Sequence, residues 1–188
     1  MRTKNLLTRT RLVKAATRVV HRLGFYRTTL ADIAREAKFP LGNLYYYFKT
    51  KEDVGAAILH GYQAQLETMF GSWEQLAGPR ARIDAFVEMI GGMKEVAAKC
   101  GCPFGTLAAE LGKEGAPLSD DAAELFRTSI RWLEGQFRAL GKGRASRNLA
   151  LHVVTVWQGA LLLTHTFGDP QVATTEVRQL KDWIRGQT

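Results

Sequence analysis

The chain has 188 residues, 46% of them hydrophobic, which suffices for a packed core and argues against disorder. Its formal net charge of +8 is not spread evenly: residues 1–51 hold 12 Lys and Arg against 2 Asp and Glu, and residues 52–188 hold 14 against 16. A basic head on a near-neutral body excludes a uniformly sticky polycation and points to a phosphate-docking surface with a second domain behind it.

The N-terminus is polar and basic and lacks an apolar h-region, so no signal peptide is read and a cytoplasmic protein is expected. The first helix carries Leu12, Ala16, Val19, Val20 and Leu23 as one stripe, with Arg9, Arg11, Lys14, Arg18 and Arg22 mostly off it, and Gly24 stops it. The second helix starts at Thr29, whose hydroxyl can cap it, and turns Leu30, Ile33, Ala34 and Ala37 inward. Lys38-Phe39-Pro40 forms the turn. A third helix runs from about Leu41 to Phe48, with Leu44 and Phe48 facing inward one turn apart. Thr50-Lys51-Glu52-Asp53 is a capping box that opens a helix reaching about Phe70. The expected division is a head over 1–51 and a body over 52–188, linked mechanically by this helix.

In the body, Gly78-Pro79 starts a helix to about Ala98, and the stretch from Lys99 to Pro103 breaks the chain. A short helix follows from Phe104 to Lys113, then the loop Glu114-Gly115-Ala116-Pro117. Ser119 is expected to cap the next helix, with Asp120 and Asp121 at its positive end. After Gly141-Lys142-Gly143 a long apolar helix spans Ala145 to Thr166. Its most apolar part, Leu149 to Leu163, is interrupted by His152, Thr155 and Gln158 and reads as too short for a membrane span. Beyond Gly168-Asp169-Pro170 the last helix carries Val172, Val177, Leu180, Trp183 and Ile184. No β alternation is present. The fold class is all-α, with about nine helices, three in the head and six in the body.

The second and third helices, joined tightly, have the arrangement that places a recognition helix in a DNA major groove. Gly42 lets the backbone approach closely, and Asn43 can donate and accept. Tyr45, Tyr46 and Tyr47 cannot all be buried on so short a helix, so at least two face outward, where phenols reach phosphates and thymine methyls. Lys49 and Lys51 follow at the phosphate edge.

Residues 9–59 resemble the DNA-binding domain of the TetR family of one-component regulators. The matching residues are Gly24-Phe25-Tyr26-Arg27-Thr28-Thr29, Ile33-Ala34, Gly42-Asn43-Leu44-Tyr45-Tyr46-Tyr47-Phe48 and Lys49-Thr50-Lys51-Glu52. The resemblance implies a homodimeric repressor on a palindromic double-stranded DNA operator. It also implies a C-terminal ligand-binding and dimerisation domain whose small-molecule effector releases the DNA. It places Thr29, Pro40, Leu41, Gly42, Asn43, Tyr45, Tyr46, Tyr47 and Lys51 at DNA-contacting positions. Pro40 stands where serine is commonest and Leu41 where lysine or arginine is common, so the operator sequence is less constrained than the binding.

Cys100-Gly101-Cys102-Pro103-Phe104-Gly105-Thr106-Leu107-Ala108-Ala109-Glu110-Leu111 is similar to a segment in a branch of that family that includes regulators responding to drug-like or electrophilic molecules. Cys102 precedes a proline-led helix, whose N-terminus would lower its thiol pKa, so it reads either as a sensing thiol or as a small core hydrophobe. Trp73, Phe86, Met89, Met93, Phe104, Phe126, Trp132 and Trp157 each read as packing, yet together can line a cavity for a small hydrophobic ligand. Phe86, Met89, Phe104 and Trp157, with Cys102, are the candidates for ligand binding or sensing. Leu149, Val153, Val156, Ala160 and Leu163 on the long helix, with Val177, Leu180 and Ile184 on the last, are the expected dimer stripes. His152 and His165 are expected in the core or pocket.

No metal, cofactor or catalytic set is expected: two cysteines separated by one residue need further ligands, and His60, His152 and His165 lack ligand spacing. A thiol-dependent enzyme using Cys102 with an incidental basic head is the alternative, but no histidine adjoins Cys102 in sequence to serve as base. A purely architectural DNA binder would not need so large an aromatic body.

Overall fold

A computed structural model describes residues 2–113 and 117–187. Of the expected loop over 114–117, residues 114–116 lie outside the described residues. Ten α-helices are described: α1 (Arg2–Leu23), α2 (Leu30–Glu36), α3 (Leu41–Tyr47), α4 (Lys51–Trp73), α5 (Pro79–Gly92), α6 (Lys94–Cys100), α7 (Pro103–Lys113), α8 (Ser119–Ala139), α9 (Ser146–Phe167) and α10 (Pro170–Gln187). A short 3-10 turn, Gly143–Ala145, precedes α9, and no strand occurs among the described residues.

The single helix expected from Pro79 to Ala98 is two. Gly91 and Gly92 weaken its end, and Met93, whose N–H donates to Ile90 O and Gly91 O, closes α5 before α6 begins. Ser119 lies inside the first turn of α8 instead of capping it, since the Ala122 N–H already reaches Leu118 O. The long apolar helix is 22 residues in α9, so the window 143–167 is long and apolar enough to cross a bilayer by length and composition. In the protein α9 packs against α6 and α10, as a core helix does.

The chain divides into two compact units: Met1–Gln65 with Thr106–Ala123, and Leu66–Gly105 with Glu124–Thr188. The first holds α1 to α3. Its core is Leu12, Ala16 and Val19 from α1, Ile33 from α2, Leu44 and Phe48 around α3, and Val54 and Ile58 from α4, all at most 1% exposed. A side chain such as Leu44 contributes about 1.5–3 kcal/mol by full burial. The second unit is built on α9, which packs with α5, α6 and α10 around Phe86, Val153, Trp157 and Leu161.

Candidate functional site

The local chemistry of α2 and α3 sets the outward surface of the head. Thr29 is extended at the N-cap and forms a full capping box with Asp32. The Asp32 N–H donates to Thr29 Oγ1 at 3.1 Å, and the Thr29 N–H and hydroxyl donate to Asp32 Oδ2 at 3.0 and 2.6 Å. These bonds hold the Asp32 carboxyl below its ordinary value. The turn uses Lys38 in the left-handed region, φ 48°, while Arg11 of α1 donates to Ala37 O at 2.7 Å and to Lys38 O at 3.2 Å. A guanidinium thus satisfies the carbonyls at the end of α2, where the helix dipole is negative. Arg18 and Arg22 both pair with Glu36, at 2.8 and 3.5 Å, and clamp α1 to α2.

On α3 the inward pair is Leu44 and Phe48, both fully buried, and Leu41, Gly42, Asn43, Tyr45 and Tyr46 are exposed. Tyr46 is the most open of the aromatics, 69% exposed. Pro40 is an extended N-cap without a side-chain cap bond, and it too is exposed. Gly42 has nothing within 4 Å of where a Cβ would stand, so its smallness serves no internal contact. Tyr47 is different. It is half-buried against Phe39 and Tyr46, and its hydroxyl donates to Asn5 Oδ1 at 2.8 Å.

Lys51 is likewise engaged within the head. Its Nζ donates to Tyr26 O at 2.7 Å and lies 4.9 and 5.6 Å from the ring centroids of Phe25 and Tyr26. Partial burial lowers its pKa. The other face of that turn is held by Glu110 of α7, whose Oε2 accepts from the Tyr26 N–H at 3.1 Å. Gly24, at φ 85°, is the position that permits this approach, since a Cβ there would stand 2.7 Å from Glu110 Oε1. Asn5, Arg11 and Glu110 brace the head through contacts that sequence reasoning missed. Their partners lie 26 to 84 residues away, and no local pattern marks such contacts.

The second unit brings most of the predicted pocket aromatics together. Trp157 stands at the centre, edge-on to Phe86 at 5.5 Å and Phe104 at 5.7 Å, and tilted against Phe126 at 5.9 Å. Phe86 continues into a stack with Trp132 and Phe70, the last two 4.6 Å apart and nearly parallel, with Trp73 alongside. Glu74 closes that end, accepting from Trp132 Nε1 at 2.9 Å and Gln136 Nε2 at 3.0 Å and pairing with Arg82 at 2.6 Å. Met89 is half-buried and stands in none of these ring contacts.

Cys102 is 5% exposed. The Gly105 N–H donates to its sulfur at 3.4 Å and Gln158 Nε2 at 3.6 Å, yet burial outweighs both and pushes the thiol pKa up. The expected lowering by a helix N-terminus is therefore corrected: the thiol is held protonated. His152 and His165 are exposed rather than in the core, His152 with its ring 4.3 Å from that of Trp183. The dimer stripes also change. Val153, Ala160, Leu180 and Ile184 are buried within the chain, and the exposed apolar face of α9 is Leu151, Leu162, Leu163 and Phe167.

Comparison with known proteins places these features. Residues 12–58 match the family model "Bacterial regulatory proteins, tetR family". Residues 79–174, half of the chain, match "Transcriptional regulator LmrA/YxaF-like, C-terminal domain". The HTH-type transcriptional regulator LmrA of Bacillus subtilis is 27% identical over 84% of this chain and 86% of its own length. The transcriptional regulator AcuR of Cereibacter sphaeroides is 25% identical over 88% and 85%. The crystal structure of a TetR transcriptional regulator from Legionella pneumophila shares the fold, with a TM-score of 0.82 at 20% identity over 92% of this chain and 94% of that one.

Proposed function

Because the chain belongs to the TetR family of bacterial regulatory proteins, and is thus a DNA-binding transcriptional regulator with a ligand-binding C-terminal domain, we propose that it is a homodimeric cytoplasmic repressor without catalytic activity. In this reading it leaves a palindromic operator when a small hydrophobic molecule binds the body. The observation that carries the reading is the exposed row Leu41, Gly42, Asn43, Tyr45 and Tyr46 on α3, set on a head of twelve basic and two acidic residues. Thr29, Pro40, Tyr47 and Lys51 complete the proposed DNA surface. Thr29 caps α2 through Asp32, Tyr47 ties the recognition helix to α1 through Asn5, and Lys51 offers its remaining donors to phosphate.

One short recognition helix discriminates weakly, and a two-fold partner doubles the contacts at a fixed half-site spacing. The exposed Leu151, Leu162, Leu163 and Phe167 supply the apolar face for that partner. Release follows as a population shift in which ligand favours a dimer whose two heads no longer fit successive major grooves. α4, shared by both units, carries the change. The burial of Cys102, which pushes its thiol pKa up, supports a reversible ligand over an electrophile and argues against a thiol enzyme.

The test is selection of bound fragments from the parent genome, followed by titration of the recovered duplex. Tyr46→Ala and Asn43→Ala should each weaken operator binding by about 1–3 kcal/mol while leaving the melting temperature unchanged. Parent-like operator affinity in both variants would reject the α3 surface.

A further inference from the structure

The centre of the aromatic cluster holds a donor without an acceptor. Trp157 is 1% exposed, and its Nε1–H has no hydrogen-bond partner among the described residues. An indole N–H is donor-only and rigid, so it cannot turn away as a hydroxyl can. Ser146 and Thr164 of the same helix also have unpartnered buried oxygens, but a hydroxyl rotates and both donates and accepts. The rings touching Trp157 are Phe86, Phe104 and Phe126, none of which offers an acceptor. The neighbouring amide of Gln158 is turned to Cys102, with its Nε2 3.6 Å from the sulfur.

A buried N–H left unpaired is costly, and native proteins retain such groups where an ordered water, an ion or a ligand completes them. Water fits poorly here, because a buried water needs two to four polar partners and the surrounding rings give it none beyond the indole. A ligand carbonyl is satisfied by a single donor. Charge is disfavoured as well. The charged pair at the far end of the ring stack, Arg82 and Glu74, is bonded at 2.6 Å, with Arg82 Nε left unpartnered among the described residues, and the three rings in contact with Trp157 offer an ionised ligand group no counter-ion.

We propose that Trp157 Nε1–H is the polar contact for the effector, and that the effector is a neutral, largely apolar molecule presenting one carbonyl-type acceptor. This inference rests on the reading that the body binds a small molecule. Phe86, Phe104 and Phe126 supply the apolar walls, and the single donor fixes which end of the molecule enters.

The experiment uses the full chain with its tryptophan indoles labelled with heavy nitrogen, and two probes of one shape: acetylnaphthalene and isopropenylnaphthalene, in which a methylene replaces the carbonyl oxygen. The Trp157 signal is the one lost in Trp157→Phe. If that variant does not fold, the signal is identified by elimination with Trp73→Phe, Trp132→Phe and Trp183→Phe. Acetylnaphthalene should bind about tenfold more tightly than its isostere and move the Trp157 indole proton downfield, and Trp157→Phe should abolish the preference. Equal affinity for the two probes, binding of neither, or a preference that survives in Trp157→Phe overturns the proposal. An indole shift with the expected preference but no loss of operator affinity supports the contact and refutes ligand-driven release instead.

Discussion

Replacing Lys51 by methionine tests a cation with two claims on its charge. Nζ donates to Tyr26 O at 2.7 Å and sits over two aromatic rings, which ties the start of α4 to the turn between α1 and α2. Methionine keeps most of the stem and so most of the packing. What is lost is a hydrogen bond from a charged donor, generally about 1.5–3 kcal/mol, and a cation–π contact of roughly 0.5–1 kcal/mol. Partial burial already penalises the ammonium, and water competes for the exposed part, so the net destabilisation should be about 1–2 kcal/mol. If a remaining N–H also meets a phosphate, the variant releases one counterion fewer, and the slope of log K against log salt should fall by about one. Urea denaturation and operator titrations at several salt concentrations on one preparation measure both effects. Destabilisation with an unchanged salt slope would refute the phosphate contact. Unchanged stability would refute the tether.

The double variant Leu162→Glu with Phe167→Glu places two charges on the exposed apolar face of α9 and should give a monomer with weakened operator binding, checked by sedimentation; a dimer would move the interface elsewhere. Acid should destabilise the head. Asp32 and Asp53 are held below their ordinary value of 3.8 by their capping boxes, so they bind fewer protons folded than unfolded. That stability is present above this value and is lost as pH falls through the lower folded-state pKa. The melting temperature should fall less steeply below about pH 4 in Asp32→Asn with Asp53→Asn than in the parent, and equal slopes would show that other carboxyls govern acid unfolding.

The head was legible because its determinants are local. The hydroxyl of Thr29 and the box from Thr50 to Asp53 predict the two caps, and Leu44 and Phe48 at one-turn spacing predict the buried face of α3; all are found, with Asp32 closing the first cap unforeseen. The outward row on α3 follows from there being no room for three tyrosines inside. The attachments of Tyr47 to Asn5 and of Tyr26 to Glu110 join distant segments and leave no periodic trace. In the body, α9 is apolar on more than one face, so helical spacing alone could not say which stripe packs inside the chain. Val153 and Ala160 went to the core, and Leu162 and Phe167 remain outside. The split of α5 from α6 was foreshadowed by Gly91-Gly92, a breaker weaker than the proline-led boundaries around it.

Cys102 shows how a local rule yields to magnitude. Its position before Pro103, at the start of an 11-residue helix, calls for a lowered thiol pKa. A helix terminus contributes about 0.3–1 kcal/mol, or up to roughly 2 in favourable geometry, which is at most about 1.5 pKa units at 1.36 kcal/mol per unit. Removal of the thiolate from water can raise a pKa by up to about 3–5 units, and Cys102 is 5% exposed. Burial wins, and sequence cannot foresee it because the surroundings of the sulfur include residues as distant as Gln158, 56 positions on. The reactive species is the thiolate, so a buried protonated sulfur reacts slowly, whereas half-buried Cys100 is open to reagent. In folded protein at neutral pH, iodoacetamide should modify Cys100 well before Cys102, and denaturant should bring the two rates together, as followed by peptide mass spectrometry. Cys102→Ser should keep its response to a reversible ligand. Preferential labelling of Cys102 in the folded protein would overturn the burial argument and restore a thiol sensor.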